Sequence, residues 1–88
     1  MDNNENLACR VCGFIQCEEP WGEDGSTPNF MICACCGTEF GYEDCTKESV
    51  KVQRDKWLDA GGRWWELKNK PNNWDMNEQL KNIPIDYK

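Results

Sequence analysis

Cys33-Ala34-Cys35-Cys36-Gly37 and Cys9-Arg10-Val11-Cys12-Gly13 decide how this chain is read. In each, two thiols are separated by two residues and followed at once by glycine. Such a turn can aim both sulfurs at one ion, and two of them supply the four donors of a tetrahedral site. The turn requires a residue able to take positive φ without a Cβ clash, which is the property glycine brings. Gly13 and Gly37 hold equivalent positions, so the two segments read as one device used twice. The twenty residues between Cys12 and Cys33 are slightly long for the gap between the halves of a zinc ribbon. Using Cys35 as a ligand would set sulfurs on adjacent or next-but-one residues and strain the chelate. The expected ligands are therefore Cys9, Cys12, Cys33 and Cys36, around one structural Zn2+. Iron is chemically compatible with the same donors.

At 88 residues the chain is expected to form a single domain whose hydrophobic core is marginal without a staple. A structural zinc site contributes roughly 10–16 kcal/mol of apparent binding free energy that is also folding free energy. Disulfides are the alternative, but seven cysteines leave one unpaired. The polar start Met1-Asp2-Asn3-Asn4-Glu5 does not resemble a signal peptide, and no apolar run approaches a membrane span. Metal-bound thiolates in a reducing cytoplasm are the expectation.

Charge is divided unevenly. Residues 1–44 carry one basic and nine acidic residues, a net of −8, whereas residues 45–88 carry nine basic and seven acidic, a net of +2. Four thiolates around a divalent cation would move the whole chain from −6 to −8, all of it on the acidic half. A ribbon that grips phosphates needs lysine or arginine on its hairpins. This one would repel them, so nucleic acid is the least favoured partner.

Taken in order, residues 1–7 read as frayed. Phe14-Ile15-Gln16-Cys17, Phe30-Met31-Ile32-Cys33 and Thr38-Glu39-Phe40-Gly41-Tyr42 read as three short strands, with Phe30 and Ile32 on one face and Phe40 and Tyr42 on another. Glu18 to Asn29, punctuated by Pro20, Gly22, Gly25, Ser26 and Pro28, reads as a surface loop. Thr46 is a fair N-cap for a helix over about 47–60, with Glu48 in its first turn and Gly61-Gly62 as the stop. Val50, Trp57 and Leu58 mark its apolar stripe, Val52 falls off it, and Lys51 can pair with Asp55. Of the adjacent Trp64 and Trp65, only one can face a small core. Asp75 and Glu78 form a capping box for a short helix, about 76–82, presenting Leu80. The predicted architecture is a small α+β fold, a zinc ribbon over 8–45 followed by a helical C-terminal extension over 46–83.

The run Cys33-Ala34-Cys35-Cys36-Gly37-Thr38-Glu39-Phe40-Gly41-Tyr42-Glu43-Asp44 resembles a family of small, uncharacterised bacterial proteins named for a cysteine-rich C-P-C-C segment. The likeness continues through Arg54-Asp55-Lys56-Trp57-Leu58, Gly62-Arg63-Trp64-Trp65, and Asn73-Trp74-Asp75 with Gln79-Leu80. It implies a zinc ribbon with a helical extension and no established activity. Ala34 stands where that family commonly has proline, and Cys45 follows the acidic pair where another polar residue would be expected.

Nothing in the chain points to an enzyme: it has no histidine, no nucleophile paired with a base and no phosphate-cradling glycine loop. The leading functional reading is a protein-interaction module for a partner with a basic surface. Its candidate contact residues are Trp21 among Glu18, Glu19, Glu23 and Asp24, together with Trp64 and Trp65. Two alternatives are a thiol or metal redox sensor using Cys17, Cys35 and Cys45, and a nucleic-acid-binding ribbon. Carboxylates around the surplus cysteines argue against reactivity, since a reactive thiol wants an electropositive setting.

Overall fold

A computed structural model describes residues 4–88. Within it the two cysteine turns are superimposable in their hydrogen bonding. Around the first, Cys9 N–H donates to the Phe14 carbonyl, Gly13 N–H to Cys9 and Gln16 N–H to Leu7, at 2.9, 2.9 and 2.8 Å. Around the second, Cys33 donates to Thr38, Gly37 to Cys33 and Phe40 to Met31, each at 2.9 Å. One antiparallel bridge closes each turn, Ala8 with Ile15 and Ile32 with Glu39. Gly13 and Gly37 take φ of 84° and 79°, as the spacing predicts.

The three predicted strands do not form; among the described residues, pairing stops at these two isolated bridges. Backbone shape explains the difference. Phe30 sits at φ 59° and Gly41 at φ 91°, so the chain turns away on both sides of the second bridge. Phe40 is buried and Tyr42 exposed, so these two do not share a face, and Phe30, Met31 and Ile32 are all exposed, so the first run shows no alternation. The segment expected to fray is helical at Asn4–Leu7 (α1), and its residues 1–3 lie outside the described residues.

Helix α2 spans Lys47–Asp59, with the Thr46 side chain accepting from Ser49 N–H. It ends where Gly61 N–H returns to Leu58 and Gly62 N–H to Trp57, both at 2.9 Å. Its buried face is narrow, holding Val50 and Trp57, while Val52 and Leu58 are exposed. The expected Lys51–Asp55 pair is absent; the ion pair among the described residues joins Lys81 and Glu78. A 3-10 turn (Leu67–Asn69), helix α3 (Met76–Leu80) and a second 3-10 turn (Ile85–Tyr87) complete the chain. Asp75 caps α3 by accepting from Asn77 and Glu78 N–H. The side chain that α3 buries is Gln79, with Leu80 half-buried.

These later elements fold back onto both turns. Each turn leaves two consecutive carbonyls pointing outward, and buried carbonyls need donors. Arg54 of α2 supplies them to the first turn, Nε to Val11 O and an Nη to Arg10 O, both at 2.8 Å. On the second turn, the backbone N–H groups of Trp65 and Glu66 bond Cys35 O and Ala34 O, at 2.9 and 2.8 Å. The two glycine faces are covered as well. A Cβ at position 13 would stand 2.2 Å from the Gln79 carbonyl oxygen, and one at position 37 would stand 2.7 Å from the Trp65 ring.

The core is mainly aromatic and sulfur-rich. Trp64 meets Phe14 and Trp74 edge-on, with centroids 5.0 and 5.5 Å apart, and Trp57 meets Trp74 at 6.3 Å. Trp57 Nε1 donates to Arg63 O at 2.9 Å, which pins the chain leaving α2.

Gly13 and Gly25 both have positive φ, but a Cβ at Gly25 meets nothing within 4 Å. Gly25→Ala is expected to cost about 1 kcal/mol from backbone strain alone. Gly13→Ala adds the clash with Gln79 and is expected to cost about 3 kcal/mol or more. Denaturant melts of the metal-loaded proteins compare them; equal costs would mean that α3 does not press on the turn.

Candidate metal centre

The Sγ atoms of Cys9, Cys12, Cys33 and Cys36 all lie within 4.8 Å of one another. Two of the separations, Cys9 to Cys36 and Cys12 to Cys33, are 3.7 Å. That is far beyond the S–S bond of a disulfide, about 2.05 Å. Four sulfurs each about 2.3 Å from a central ion in tetrahedral array stand about 3.8 Å apart. The donor set therefore fits a metal ion in chemistry and in spacing. The repeated turn explains why: each presents its two sulfurs from the same backbone shape, and the two turns face each other.

Cys9, Cys12 and Cys33 are fully buried and Cys36 is half-buried. Without a cation the four sulfurs cannot share the site as anions. Burial pushes the Cys9 and Cys12 thiols well above their ordinary range. Cys33 is driven far below it, chiefly by a hydrogen bond from Cys12, with further ones from Cys36 and Cys9 and from the Cys36 backbone N–H. Burial thus favours the protonated form of Cys9 and Cys12, and hydrogen bonds within the cluster favour the thiolate of Cys33. A divalent cation replaces those protons.

The surroundings suit a negatively charged centre. Gln16 Nε2 donates to Cys33 Sγ at 3.5 Å, and Cys36 Sγ lies 3.1 Å from the Thr38 hydroxyl. Arg54, capping the first turn, also bonds Tyr87 O; burial lowers its pKa, while the charges of Cys9, Asp55 and Cys12 act to raise it. Gln79 Nε2 donates to Cys12 O at 3.2 Å and to Cys35 Sγ at 3.3 Å, while its Oε1 accepts from Trp74 Nε1 at 2.7 Å. Arg54 and Gln79 are the supporting residues that the sequence reading missed. Their partners are backbone carbonyls and a sulfur, which leave no pattern in the sequence.

The three surplus cysteines are not gathered. Cys35 is buried under Gln79, whereas Cys17 and Cys45 are exposed, and Cys45 Sγ contacts Gly41 O at 3.1 Å. Trp21 is fixed: its Nε1 donates to the buried Asp44 carboxylate at 2.8 Å, and its ring lies 4.0 Å beneath the Arg10 guanidinium. Tyr87 stacks on that guanidinium at 4.4 Å. Asp44 also accepts from Gly41 N–H at 2.8 Å, so one carboxylate ties the acidic loop to the second turn. Around Trp21, Glu18 and Glu23 are exposed, Glu19 is half-buried, and Asp24 accepts from Ser26 N–H and Thr27 Oγ1. Trp64 is half-buried and Trp65 exposed.

No family model, curated protein or solved structure matches the chain. The chain is a small, cysteine-rich protein with a four-cysteine cluster able to hold a metal ion. Among the described residues no helix is long and apolar enough to cross a membrane.

Loading the cluster must displace the Cys9 and Cys12 protons, so metal affinity is expected to rise with pH. Calorimetric titration in buffers of different ionisation enthalpy should show at least two protons released per metal. In the metal-free protein Cys9 and Cys12, with raised pKa, favour the fold below the ordinary thiol range and cost stability as pH climbs through it, whereas Cys33, with a lowered pKa, favours the fold above that range and loses this contribution as pH falls. Proton-neutral loading would exclude thiolate ligation.

Arg54→Lys keeps a charge but loses the fork that reaches three carbonyls, those of Arg10, Val11 and Tyr87. It is expected to cost about 2–3 kcal/mol of stability in the metal-loaded protein, read from denaturant melts, with metal stoichiometry unchanged.

Proposed function

We propose that this chain is a zinc protein whose Zn2+ is structural and whose role is to bind another protein with a basic surface. All four donors being cysteine supports a closed structural site over a catalytic one, since a catalytic zinc keeps an open position. Its kinship with the small bacterial C-P-C-C proteins is part of the same reading and rests on the sequence motifs quoted above.

The observation that carries the partner reading is a set of exposed apolar side chains placed among carboxylates. Phe30, Met31 and Ile32 are 61%, 64% and 48% exposed, where the second turn begins. Met31 and Ile32 share a shallow cleft with Glu18, and Tyr42 and Val52 share another with Glu43 and Glu48. Consecutive exposed apolar residues on a small protein usually mark an interaction site. The acidic surroundings favour a partner that offers lysine or arginine around an apolar contact. Phe30 is held at φ 59°, a conformation that is strained for an aromatic residue, and its ring edge lies over Gly41 while most of the residue stays exposed.

Affinity capture at low ionic strength, with the metal-loaded wild type and with Met31→Asp/Ile32→Asp, tests the proposal. Basic partners should be retained, elute as salt is raised, and be lost with the double variant. Retention of acidic proteins alone, or binding indifferent to salt, would remove the proposal.

A further inference from the structure

A cleft of about 420 Å3 opens beside Cys36, between α2 and the segment that follows it. Trp57, Trp64 and Trp65 contribute its aromatic walls, and Lys56 and Arg63 its charge. No acidic residue lines it. Both cations are exposed, and neither forms an ion pair among the described residues. In a chain of net charge −6, an aromatic cleft that sets two cations, Lys56 and Arg63, beside the Cys36 sulfur is against the general trend. One further feature belongs to the same wall. The Trp64 indole N–H is buried and has no hydrogen-bond partner among the described residues. Buried donors are nearly always paired, and an orphan one calls for a reason.

We propose that this cleft binds a small aromatic carboxylate. Its size falls within the range of small-ligand pockets, about 300–1,000 Å3, and it combines apolar walls with a few converging polar groups. A planar carboxylate matches the two-pronged guanidinium of Arg63, and Lys56 adds a second, point-like charge. The ligand's ring is accommodated by the tryptophan faces, and the Trp64 N–H, out of solvent contact in the free chain, gains an acceptor when the indole turns toward the cleft. Because Cys36 lines the same cleft, the ligand covers the least buried of the four sulfurs. The surface is separate from the acidic apolar one around Met31 and Ile32, so either assignment can fail without the other.

The test is a titration of the full, metal-loaded, 15N-labelled chain with benzoate and with neutral, near-isosteric benzamide, following the indole N–H resonances by NMR. Benzoate should displace the Trp64 resonance saturably, with benzamide at least about tenfold weaker for want of the charge-assisted bonds. Arg63→Gln and Lys56→Gln replace exposed side chains and should fold normally, as judged by an unchanged ligand-free spectrum. Each should weaken benzoate binding, Arg63→Gln by about tenfold. A Trp64 resonance that does not move would mean its N–H is directed at a neighbouring ring, and would overturn the proposal. So would an equal response to benzamide, or wild-type affinity in Arg63→Gln.

Discussion

Four sulfur atoms drawn within 4.8 Å of one another, three of them wholly out of solvent, are the constraint on which this structure depends. Thiolates cannot be concentrated in this way without a cation, and thiols alone leave polarisable groups buried around one charged member. With an ion the cluster becomes a four-way crosslink between two turns that otherwise share little. The pairing near each turn amounts to one bridge and a few backbone hydrogen bonds. Sheet formation contributes almost nothing to holding the halves together. The segments that cover the turns do it, with whatever ion the four sulfurs hold.

That covering is needed twice, because the turn is used twice. Each copy exposes the same two carbonyls and the same glycine face, and the C-terminal half answers with different chemistry each time. A guanidinium and the backbone of α3 cover the first turn, while two backbone amides and the Trp65 ring cover the second. A side chain capping one turn and a main chain capping the other is the arrangement expected when a symmetrical pair is closed by an asymmetrical chain. The acidic loop is secured by the same economy of means. Arg10 projects from the first turn between Trp21 and Tyr87, and Asp44 beyond the second turn receives Trp21. The loop that carries Glu18, Glu19, Glu23 and Asp24 is thus tied to both turns.

The parts legible in the sequence are those governed by local rules. C-x-x-C-G spacing identifies the four sulfurs that the structure brings together. Thr46, Gly61-Gly62 and Asp75 mark helix ends because caps are local hydrogen bonds. The divergence of Trp64 from Trp65 follows from chain geometry. The strands were misread because alternation in Phe30-Met31-Ile32 resembles a half-buried strand, whereas Phe30 adopts a left-handed conformation that no periodicity announces. Trp21 could not be placed from composition, since its neighbours in sequence are acids and its partners are Arg10 and Asp44. Arg54 and Gln79 were invisible for a related reason. A side chain that bonds backbone carbonyls 43 or 67 positions away matches the shape of a turn, and nothing in the identity of the residues there reveals it.

The placement of the four-cysteine cluster relative to the surfaces would give a bound ion a role beyond stability. Ile32 precedes Cys33 of the cluster, so the exposed apolar run leads directly into it. Cys36, three residues on, borders the cleft that holds Lys56 and Arg63. One C-x-x-C turn therefore has the acidic, apolar surface at its entrance and the basic, aromatic cleft at its exit. Without the ion, both would lose the same anchor, since the turn's remaining ties are backbone hydrogen bonds and the docking of residues 65 and 66. A small hydrophobic core would hold these surfaces only loosely. Four sulfurs on one ion would fix them relative to one another, in a chain whose pairing beside each turn is a single bridge.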